Sequence, residues 1–280
     1  MILEEFIEKQ VLLLNNSELK RMIGRERLRF SRRETLRLLL AFLKQHETQM
    51  TFLFVYKSIG FRGTYQNFSK NLKTLAPLWE HLFFKFNQQN SIHFDSLTLM
   101  DTSLLPQKNE QSITQKDWKN KTVTTRSKNK TKIRICGRKL FAVLNSKDLL
   151  VGVNLLSINE SDQNLLKTPY SYIQKGMKNT VLLADRGFNN KSVRARFDYF
   201  NKEIGSNITF ISPPHVKEKR ELTAYERNLY KKRWNIEEVF RQMKHPLLSS
   251  KLSLYHFRHS GLQKAKVYLS SLIWNAEKIK

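Results

Sequence analysis

The chain has 280 residues, of which 50 are Lys or Arg and 24 are Asp or Glu, so its formal net charge is +26. This excess of positive charge indicates a polyanionic partner. Nucleic acid is the preferred candidate, and a membrane surface is the alternative. A membrane-spanning helix is not expected, because no apolar run reaches about 18 to 20 residues. The acidic start lacks a signal-peptide pattern and the single cysteine, Cys136, fits a reducing compartment, so we expect a cytoplasmic protein with a packed thiol.

The hydrophobic content of 40% is enough for packed cores, and the length suits two domains. We predict a helical domain over residues 1–88 and a second domain over 89–280 that ends in C-terminal helices. In the first domain, apolar residues recur at helical spacing over 2–14 and over 33–44, where Ser31 is placed to cap the second helix.

A helix-turn-helix pattern lies within the helical domain. A short helical segment over 51–58, a turn over 59–63 and a second helix over 64–75 have the right proportions. In this interpretation Lys70 and Lys73 face DNA. An ordinary helical hairpin in a small bundle fits the pattern equally well.

The second domain alternates strands and helices. Three strand-like segments come first, and helical segments then alternate with two further strands, giving the order βββαβαβα. This order predicts an α/β, ribonuclease-H-like mixed sheet, with three antiparallel strands followed by βα units and flanking helices, although a fold alone does not give function. The predicted segments are strands 92–101, 133–145 and 149–158, helix 162–175, strand 180–185, helix 191–201, strand 207–212 and helix 223–244.

A basic segment over residues 115–134 separates the first two predicted strands. We interpret it as a mobile loop in which Lys128, Lys130 and Lys132 contact DNA phosphates. The alternative is a solvated charge run without a single partner.

The last predicted helix carries a polar stripe. Tyr230, Arg233, Glu237 and Lys244 stand at offsets of 0, 3, 7 and 14 residues, so at about 100° per residue they fall within an arc of roughly 60°. A carboxylate beside cationic groups and a phenol suits a metal bound to a phosphodiester. A solvated helix face with an Arg233–Glu237 pair is the plain alternative.

Two other glutamates compete for this role. Glu238 points about 100° away from Glu237 and lies off the stripe. Glu226 lies on the same face, but the segment 223–226 has the form of a capping box, which explains it structurally. Glu237 is therefore the preferred ligand.

The spacing of these four residues resembles the Y-R-E-K motif of bacterial insertion-sequence DDE transposases. Residues 182–188, with Asp185, look like the family's second-aspartate segment, and residues 99–103, with Asp101, resemble the first. Residues 137–140 and 159–162 also look like family segments, so the resemblance covers roughly residues 92–275. It implies that Tyr230, Arg233 and Lys244 contact phosphates next to the cleaved bond.

The predicted topology agrees with this resemblance. Asp101 ends the first predicted strand, Asp185 ends the fourth, and Glu237 approaches from the last helix, so three carboxylates can converge. Hard oxygen ligands suit Mg²⁺ or Mn²⁺, and we expect two ions. Asp95 lies inside the first strand and Asp162 is placed to cap a helix, so both are weaker candidates.

The resemblance implies a DNA transposase that binds the terminal inverted repeats of its element, cleaves phosphodiester bonds and transfers 3′-hydroxyl ends to target DNA. It also implies a homodimer or larger assembly across paired ends. A ribonuclease-H-like nuclease or resolvase without strand transfer is the alternative enzyme. A DNA-binding protein without catalysis is the alternative from another class.

Overall fold

The computed structural model describes residues 3–23, 31–48, 52–61, 63–108, 122–126, 132–160, 176–189, 191–214, 221–248 and 260–280. The chain divides into a helical unit, Met1–Ser91 with Met243–Lys280, and a sheet unit, Ile92–Gln242. In chain order the main elements are α1 (Leu3–Leu13), α2 (Asn16–Ile23), α3 (Arg32–Thr48), α4 (Phe52–Ser58), α5 (Tyr65–Gln89), β1 (Leu97–Lys108), β2 (Thr122–Arg126), β3 (Lys132–Leu144), β4 (Leu150–Ser157), β5 (Thr180–Ala184), α6 (Lys191–Ile204), β6 (Ile208–Ile211), α7 (Ala224–Lys231), α8 (Trp234–Leu248) and α9 (Ser260–Lys278).

The helical unit is organised around α5, which packs along α9. The rings of Phe83 and Tyr268 lie 5.8 Å apart between the two helices. The buried Asn275 side chain donates a 2.9 Å hydrogen bond to the Asn87 side chain, so a polar contact accompanies the apolar one. The predicted cap of α3 is confirmed, because the Glu34 amide donates to Ser31 Oγ at 3.2 Å.

The predicted helical pair of the helix-turn-helix pattern is present as α4 and α5, although α5 extends well beyond residue 75. Gly60 has a φ of +59° in the turn, a conformation that glycine adopts without a Cβ penalty. The Tyr56 hydroxyl donates a 2.5 Å hydrogen bond to the Gly63 carbonyl, which fixes the turn. Thr64 then caps α5, since its side chain accepts from the Asn67 amide.

The sheet unit has strand order β2-β3-β1-β5-β6, with β4 also paired to β3. Strand β3 runs antiparallel to β1, β2 and β4. Strand β5 runs parallel to both β1 and β6. The antiparallel strands followed by parallel βα units confirm the predicted ribonuclease-H-like arrangement.

The centre of the sheet is apolar on both faces. Leu182, Leu183 and Ala184 of β5 are fully buried, as expected for a parallel strand covered on both sides. Helix α6 packs against β6, where the Phe197 and Phe210 rings stack at 4.9 Å. The Cys136 side chain is buried, as predicted. None of the helices in the described ranges has both the length and the apolar character needed to cross a membrane.

Three predicted boundaries were wrong. Part of the basic segment predicted as a loop is strand, because residues 122–126 pair with residues 132–136 as the β2–β3 hairpin. Strand β1 continues to Lys108 because its second half pairs with β3. The single helix predicted over 223–244 is two helices, α7 and α8, with a break at residues 232–233. The helix predicted over 162–175 lies outside the described residues.

Candidate active site

Asp101 lies in the central strand of the sheet. The prediction that Asp101 ends its strand was wrong, because β1 continues to Lys108. The pairing of β1 with β5, however, ends at Met100 and Ala184, directly before Asp101. Its residue is only 8% exposed, and its Oδ1 accepts a 2.7 Å hydrogen bond from the Thr102 amide.

Asp185 was predicted to end its strand and lies one residue beyond it, directly after β5. Continuing the β1–β5 register by one residue sets it beside Asp101, and neighbouring strands lie about 4.8 Å apart. Asp185 precedes a short 3₁₀ turn, Arg186–Phe188, but its side chain makes no capping hydrogen bond. Its backbone carbonyl accepts a 2.8 Å hydrogen bond from Ser212 Oγ, which ties the end of β5 to the residue after β6.

Arg233 joins two of the three predicted carboxylates. Its Nη1 donates to Asp101 Oδ2 at 2.5 Å, and its Nη2 donates to Glu237 Oε1 at 2.6 Å. The Arg233 and Asp101 side chains are 17% and 11% exposed, whereas Glu237 is 37% exposed. The guanidinium fork therefore holds a buried carboxylate of β1 and a more accessible one of α8.

The break between α7 and α8 places Arg233 at a helix junction. The amide of Lys232 bonds to the Leu229 carbonyl, and the amide of Arg233 bonds to the Tyr230 carbonyl, both at 3.0 Å. These i to i−3 bonds are tighter than α-helical ones. Residues Tyr230, Arg233 and Glu237 therefore do not share one continuous helix, although Arg233 still contacts both others.

Tyr230 completes a cluster of five side chains with Asp101, Asp185, Arg233 and Glu237. Its ring centroid lies 5.6 Å from the Arg233 guanidinium carbon. Burial, with a further contribution from Asp185, Asp101 and a hydrogen bond to Asp185, raises the pKa of Tyr230 to about 12 despite the opposing charge of Arg233. The phenol is therefore neutral at physiological pH and can donate a hydrogen bond.

The carboxylates and the guanidinium are electrostatically coupled. Burial raises the pKa of Asp101 to about 7, Asp185 and Glu237 add to the rise, and Arg233 and the Thr102 amide oppose it. Burial alone would lower the pKa of Arg233, but Asp101, Tyr230, Asp185 and Glu237 raise it above its usual value. An additional cation would thus be favourable at this end of the sheet.

The competing carboxylates have structural partners. Glu238 is exposed and pairs with Arg241 at 2.5 Å. Glu226 forms the predicted capping box with Thr223. Asp95 accepts hydrogen bonds from the Ser146 amide and hydroxyl, so it fixes a turn. Asp162 lies outside the described residues.

The predicted DNA contacts are placed as follows. Lys70 and Lys73 are exposed on the first turns of α5. Lys244 follows Glu237 on α8, is half-buried, and has its pKa lowered by burial. Lys132 begins β3, while Lys128 and Lys130 lie outside the described residues.

The donor set fits hard divalent cations by its chemistry, because it consists of carboxylate oxygens. As the side chains stand, the described residues include no group of three His, Cys, Asp or Glu close enough to hold one ion. The position between Asp101 and Glu237 is taken by the Arg233 guanidinium. The sequence did not predict the Asp101–Arg233 contact, since nothing in local spacing relates residues 132 positions apart.

The mixed sheet, with Asp101 and Asp185 where its parallel strands stop pairing, defines an α/β domain of the ribonuclease-H-like class. Residues 92–273 match the family described as "Transposase DDE domain". The chain belongs to this family, and it is a metal-dependent DNA transposase that acts in DNA transposition and recombination.

Two solved structures are similar to this chain. One is a crystal structure of a pre-cleavage Mos1 transpososome, with 11% identity, coverage of 95% of this chain and 76% of that chain, and a TM-score of 0.33. The other is a crystal structure of the Mos1 strand transfer complex, with 12% identity, coverage of 92% and 80%, and a TM-score of 0.25. Both TM-scores are low, so the family assignment rests on the sequence match. A comparison with curated proteins found no match.

Proposed function

We propose that Asp101, Asp185 and Glu237 are the catalytic carboxylates with which this transposase cuts the ends of a bacterial insertion element and joins them to target DNA. The observation that carries this proposal is the register of β1 and β5, which pairs Met100 with Ala184, the residues directly before Asp101 and Asp185. The Arg233 fork that links Asp101 to Glu237 adds to it. The family match supplies the reaction class.

Transposases with a DDE domain use divalent metal ions. Asp101, Asp185 and Glu237 would hold Mg²⁺ or Mn²⁺ here. Two such ions would supply activation of the attacking water or 3′-hydroxyl and stabilisation of the leaving oxygen. The raised pKa of Asp101 supports the assignment, because a buried carboxyl of this kind is stabilised as an anion by a nearby cation.

Three further side chains, of Arg233, Tyr230 and Lys244, would bind and orient DNA. Arg233 can release one carboxylate and donate two parallel hydrogen bonds to a phosphate, a geometry that suits a guanidinium. Tyr230 can donate from its neutral phenol, and Lys244 can contribute a point charge. Arg233 and Lys244 would neutralise charge on the scissile phosphate, and the neutral phenol of Tyr230 would help to align it.

We assign end recognition to the helical unit. Lys70 and Lys73 are exposed on α5, which follows a short helix and a fixed turn. This arrangement fits a helix that reads the terminal inverted repeats of the element in the major groove. The basic segment with Lys128, Lys130 and Lys132 would contact phosphates of the ends or the target. Pairing of two ends implies a homodimer or a larger assembly, and we place the protein in the cytoplasm with the nucleoid.

The test is cleavage and joining by the purified full chain. The substrate is labelled linear DNA that carries the inverted repeats flanking the gene, incubated with Mg²⁺ or Mn²⁺ and supercoiled target plasmid. Label cut at the repeat and covalently attached to the plasmid is the expected result. Cutting without joining would favour a nuclease or resolvase, and binding without cutting would favour a protein without catalysis.

The assignment of the residues is tested with Asp185→Asn, which keeps the side chain's size. Loss of cutting with unchanged DNA affinity is expected. Full cutting by this variant would contradict the proposed site, while the transposase assignment would stand on the wild-type result.

A further inference from the structure

The turn between β3 and β4 is fixed by side chains of the sheet unit. Asn145 Oδ1 accepts from the amides of Lys147 and Leu149, both at 3.1 Å. Asp95 accepts from the Ser146 amide at 3.1 Å and from the Ser146 hydroxyl at 2.5 Å. This turn is consequently a rigid extension of the sheet that carries Asp101.

One residue of this turn reaches the catalytic helix. Asp148 has a φ of +59°, a left-handed conformation that Asp and Asn tolerate better than other non-glycine residues. Its Oδ1 accepts a 2.9 Å hydrogen bond from Asn235 Nδ2. Asn235 stands in the first turn of α8, two residues after Arg233 and two before Glu237.

The first turn of α8 requires a contact that fixes it to the sheet unit. The break at residues 232–233 replaces α-helical bonds with i to i−3 bonds, an arrangement that often marks a hinge. Near Glu237, the apolar face of α8 is held in the protein core by the buried side chains of Ile236 and Val239. The Asn235 side chain is exposed and lies outside this apolar contact.

We infer that Asp148 and Asn235 form a positioning pair that fixes the first turn of α8 to the β3–β4 turn and so sets Glu237 and Arg233 relative to Asp101. The inference rests on the proposed function, because the group that the pair positions is the proposed catalytic Glu237. Neither residue touches the reacting atoms in this role. Both act through the helix that they anchor.

The pair can be tested with isosteric substitutions. Asn235→Asp places two acceptors opposite each other and breaks the hydrogen bond, while a negative charge near a helix N-terminus does not weaken the helix itself. Asp148→Asn keeps an acceptor for Asn235 and also tolerates the left-handed backbone. In the double variant Asp148→Asn/Asn235→Asp, an amide at 148 donates to a carboxylate at 235, so the bond is restored with its direction reversed.

The expected pattern is specific to this contact. Asn235→Asp should lower the rate constant for end cleavage by about tenfold, since small displacements of catalytic groups are costly, and should raise the Mn²⁺ concentration for half-maximal rate. Asp148→Asn should stay within about twofold of wild type, and the double variant should recover to within about threefold. DNA affinity and the thermal midpoint should be unchanged in all three.

A charge-matched control separates geometry from charge. Asn235→Asp/Glu238→Gln carries the same net charge as the rescuing double variant but leaves Asp148 and the new Asp opposed. Glu238 is an exposed residue outside the proposed site. This control should remain as slow as Asn235→Asp alone.

Direct binding of Mn²⁺, followed by electron paramagnetic resonance, gives a readout that needs no turnover. Affinity should fall in Asn235→Asp and return in the double variant with Asp148→Asn. Three results would overturn the inference. They are a wild-type rate in Asn235→Asp, rescue of Asn235→Asp by Glu238→Gln as large as that by Asp148→Asn, and failure of Asp148→Asn to rescue Asn235→Asp. Absence of cleavage by the wild-type protein would instead refute the proposed function.

Discussion

Arg233 Nη1 lies 2.5 Å from Asp101 Oδ2, in an ion pair that is almost entirely shielded from water. The second terminal nitrogen of Arg233 is 2.6 Å from Glu237 Oε1. One guanidinium thus pairs with two carboxylates that are proposed to hold metal ions. A cation or a phosphate bound at the proposed site would therefore require the Arg233 fork to exchange partners.

Arg233→Lys tests whether the fork geometry matters beyond charge. A lysine ammonium lacks the planar pair of terminal nitrogens with which a guanidinium binds two acceptors at once. We therefore predict that the cleavage rate falls by about ten- to a hundredfold. The measurement is the single-turnover rate at saturating Mn²⁺ and DNA. The matched control is Arg241→Lys on the exposed Glu238 pair, which should retain the wild-type rate. Equal loss in both variants would contradict a special role for Arg233.

The adjacent glutamates of α8 should behave differently. Glu237→Gln keeps the acceptor for Arg233 but removes the charge that a hard cation needs, so we predict a loss of about a hundredfold or more in cleavage with DNA binding retained. Glu238→Gln changes an exposed pair with Arg241, and its effect on stability should stay within about 0.5 kcal/mol. The reverse pattern in a cleavage assay would show that the catalytic carboxylate is misassigned.

Asp101→Asn should separate stability from activity. The pKa of Asp101 is raised to about 7 in the folded protein against 3.8 for a free side chain. Between these values the folded state binds more protons than the unfolded state, so this group lowers stability as pH rises from about 4 to 7. Replacement by Asn removes the charge and should leave the metal-free thermal midpoint at pH 8 equal to or above wild type.

The same variant provides a test of metal binding. A ligand that binds only the folded state raises its thermal midpoint, so Mn²⁺ should raise the midpoint of wild type and have little effect on Asp101→Asn. Cleavage by Asp101→Asn should be lost. A Mn²⁺-induced shift of equal size in both proteins would show that the cation binds elsewhere.

Much of the sheet unit followed from local pattern. The apolar run before Asp185 predicted β5, because a parallel strand that is buried on both faces has a continuous apolar sequence and not an alternating one. The capping box at Thr223 correctly explained Glu226. The extension of β1 beyond Asp101 was missed because it depends on pairing with β3, which is a tertiary contact. Local periodicity also could not reveal the break after Lys231, since Tyr230, Arg233 and Glu237 keep helical spacing across it.

The contacts that define the site were less predictable than its residues. The spacing of Arg233 and Glu237 indicated their i,i+4 pair, which the structure contains. The Asp101–Arg233 and Asp148–Asn235 contacts join residues 132 and 87 positions apart. Such contacts follow from strand register and helix packing, and one sequence gives no periodic signal for them.

The exposed lysines of α5 should contribute to DNA binding through phosphates or base edges. Lys70→Gln with Lys73→Gln removes two charges, and for two phosphate contacts we predict that the slope of log affinity against log salt becomes shallower by about 1.8. The control is Lys9→Gln with Lys20→Gln, which removes the same charge from exposed positions of α1 and α2. Fluorescence anisotropy with the terminal repeat measures both. Equal slopes for the two double variants would indicate that α5 is not the DNA-binding helix.

A buried lysine should make the stability of the helical unit depend on pH. Lys266 of α9 is fully buried, and its Nζ has no hydrogen-bond partner among the described residues. Burial lowers the pKa of Lys266 from 10.5 to about 7. Between these values the unfolded state binds more protons, so stability should rise as pH increases from about 7 to 10.5, by at most about 1.4 kcal/mol per pH unit for one proton.

Replacement of Lys266 by Met should remove this dependence. The variant retains the apolar stem and loses the buried amine, so its thermal midpoint at pH 7 should exceed that of wild type. Between pH 7 and 9 its midpoint should stay nearly constant, while that of wild type rises. Lys264→Met, at an exposed position of the same helix, should follow wild type because its amine is solvated in both states. A wild-type midpoint that falls over this range, or a Lys266→Met variant less stable than wild type at pH 7, would mean that the amine is stabilised in the folded state.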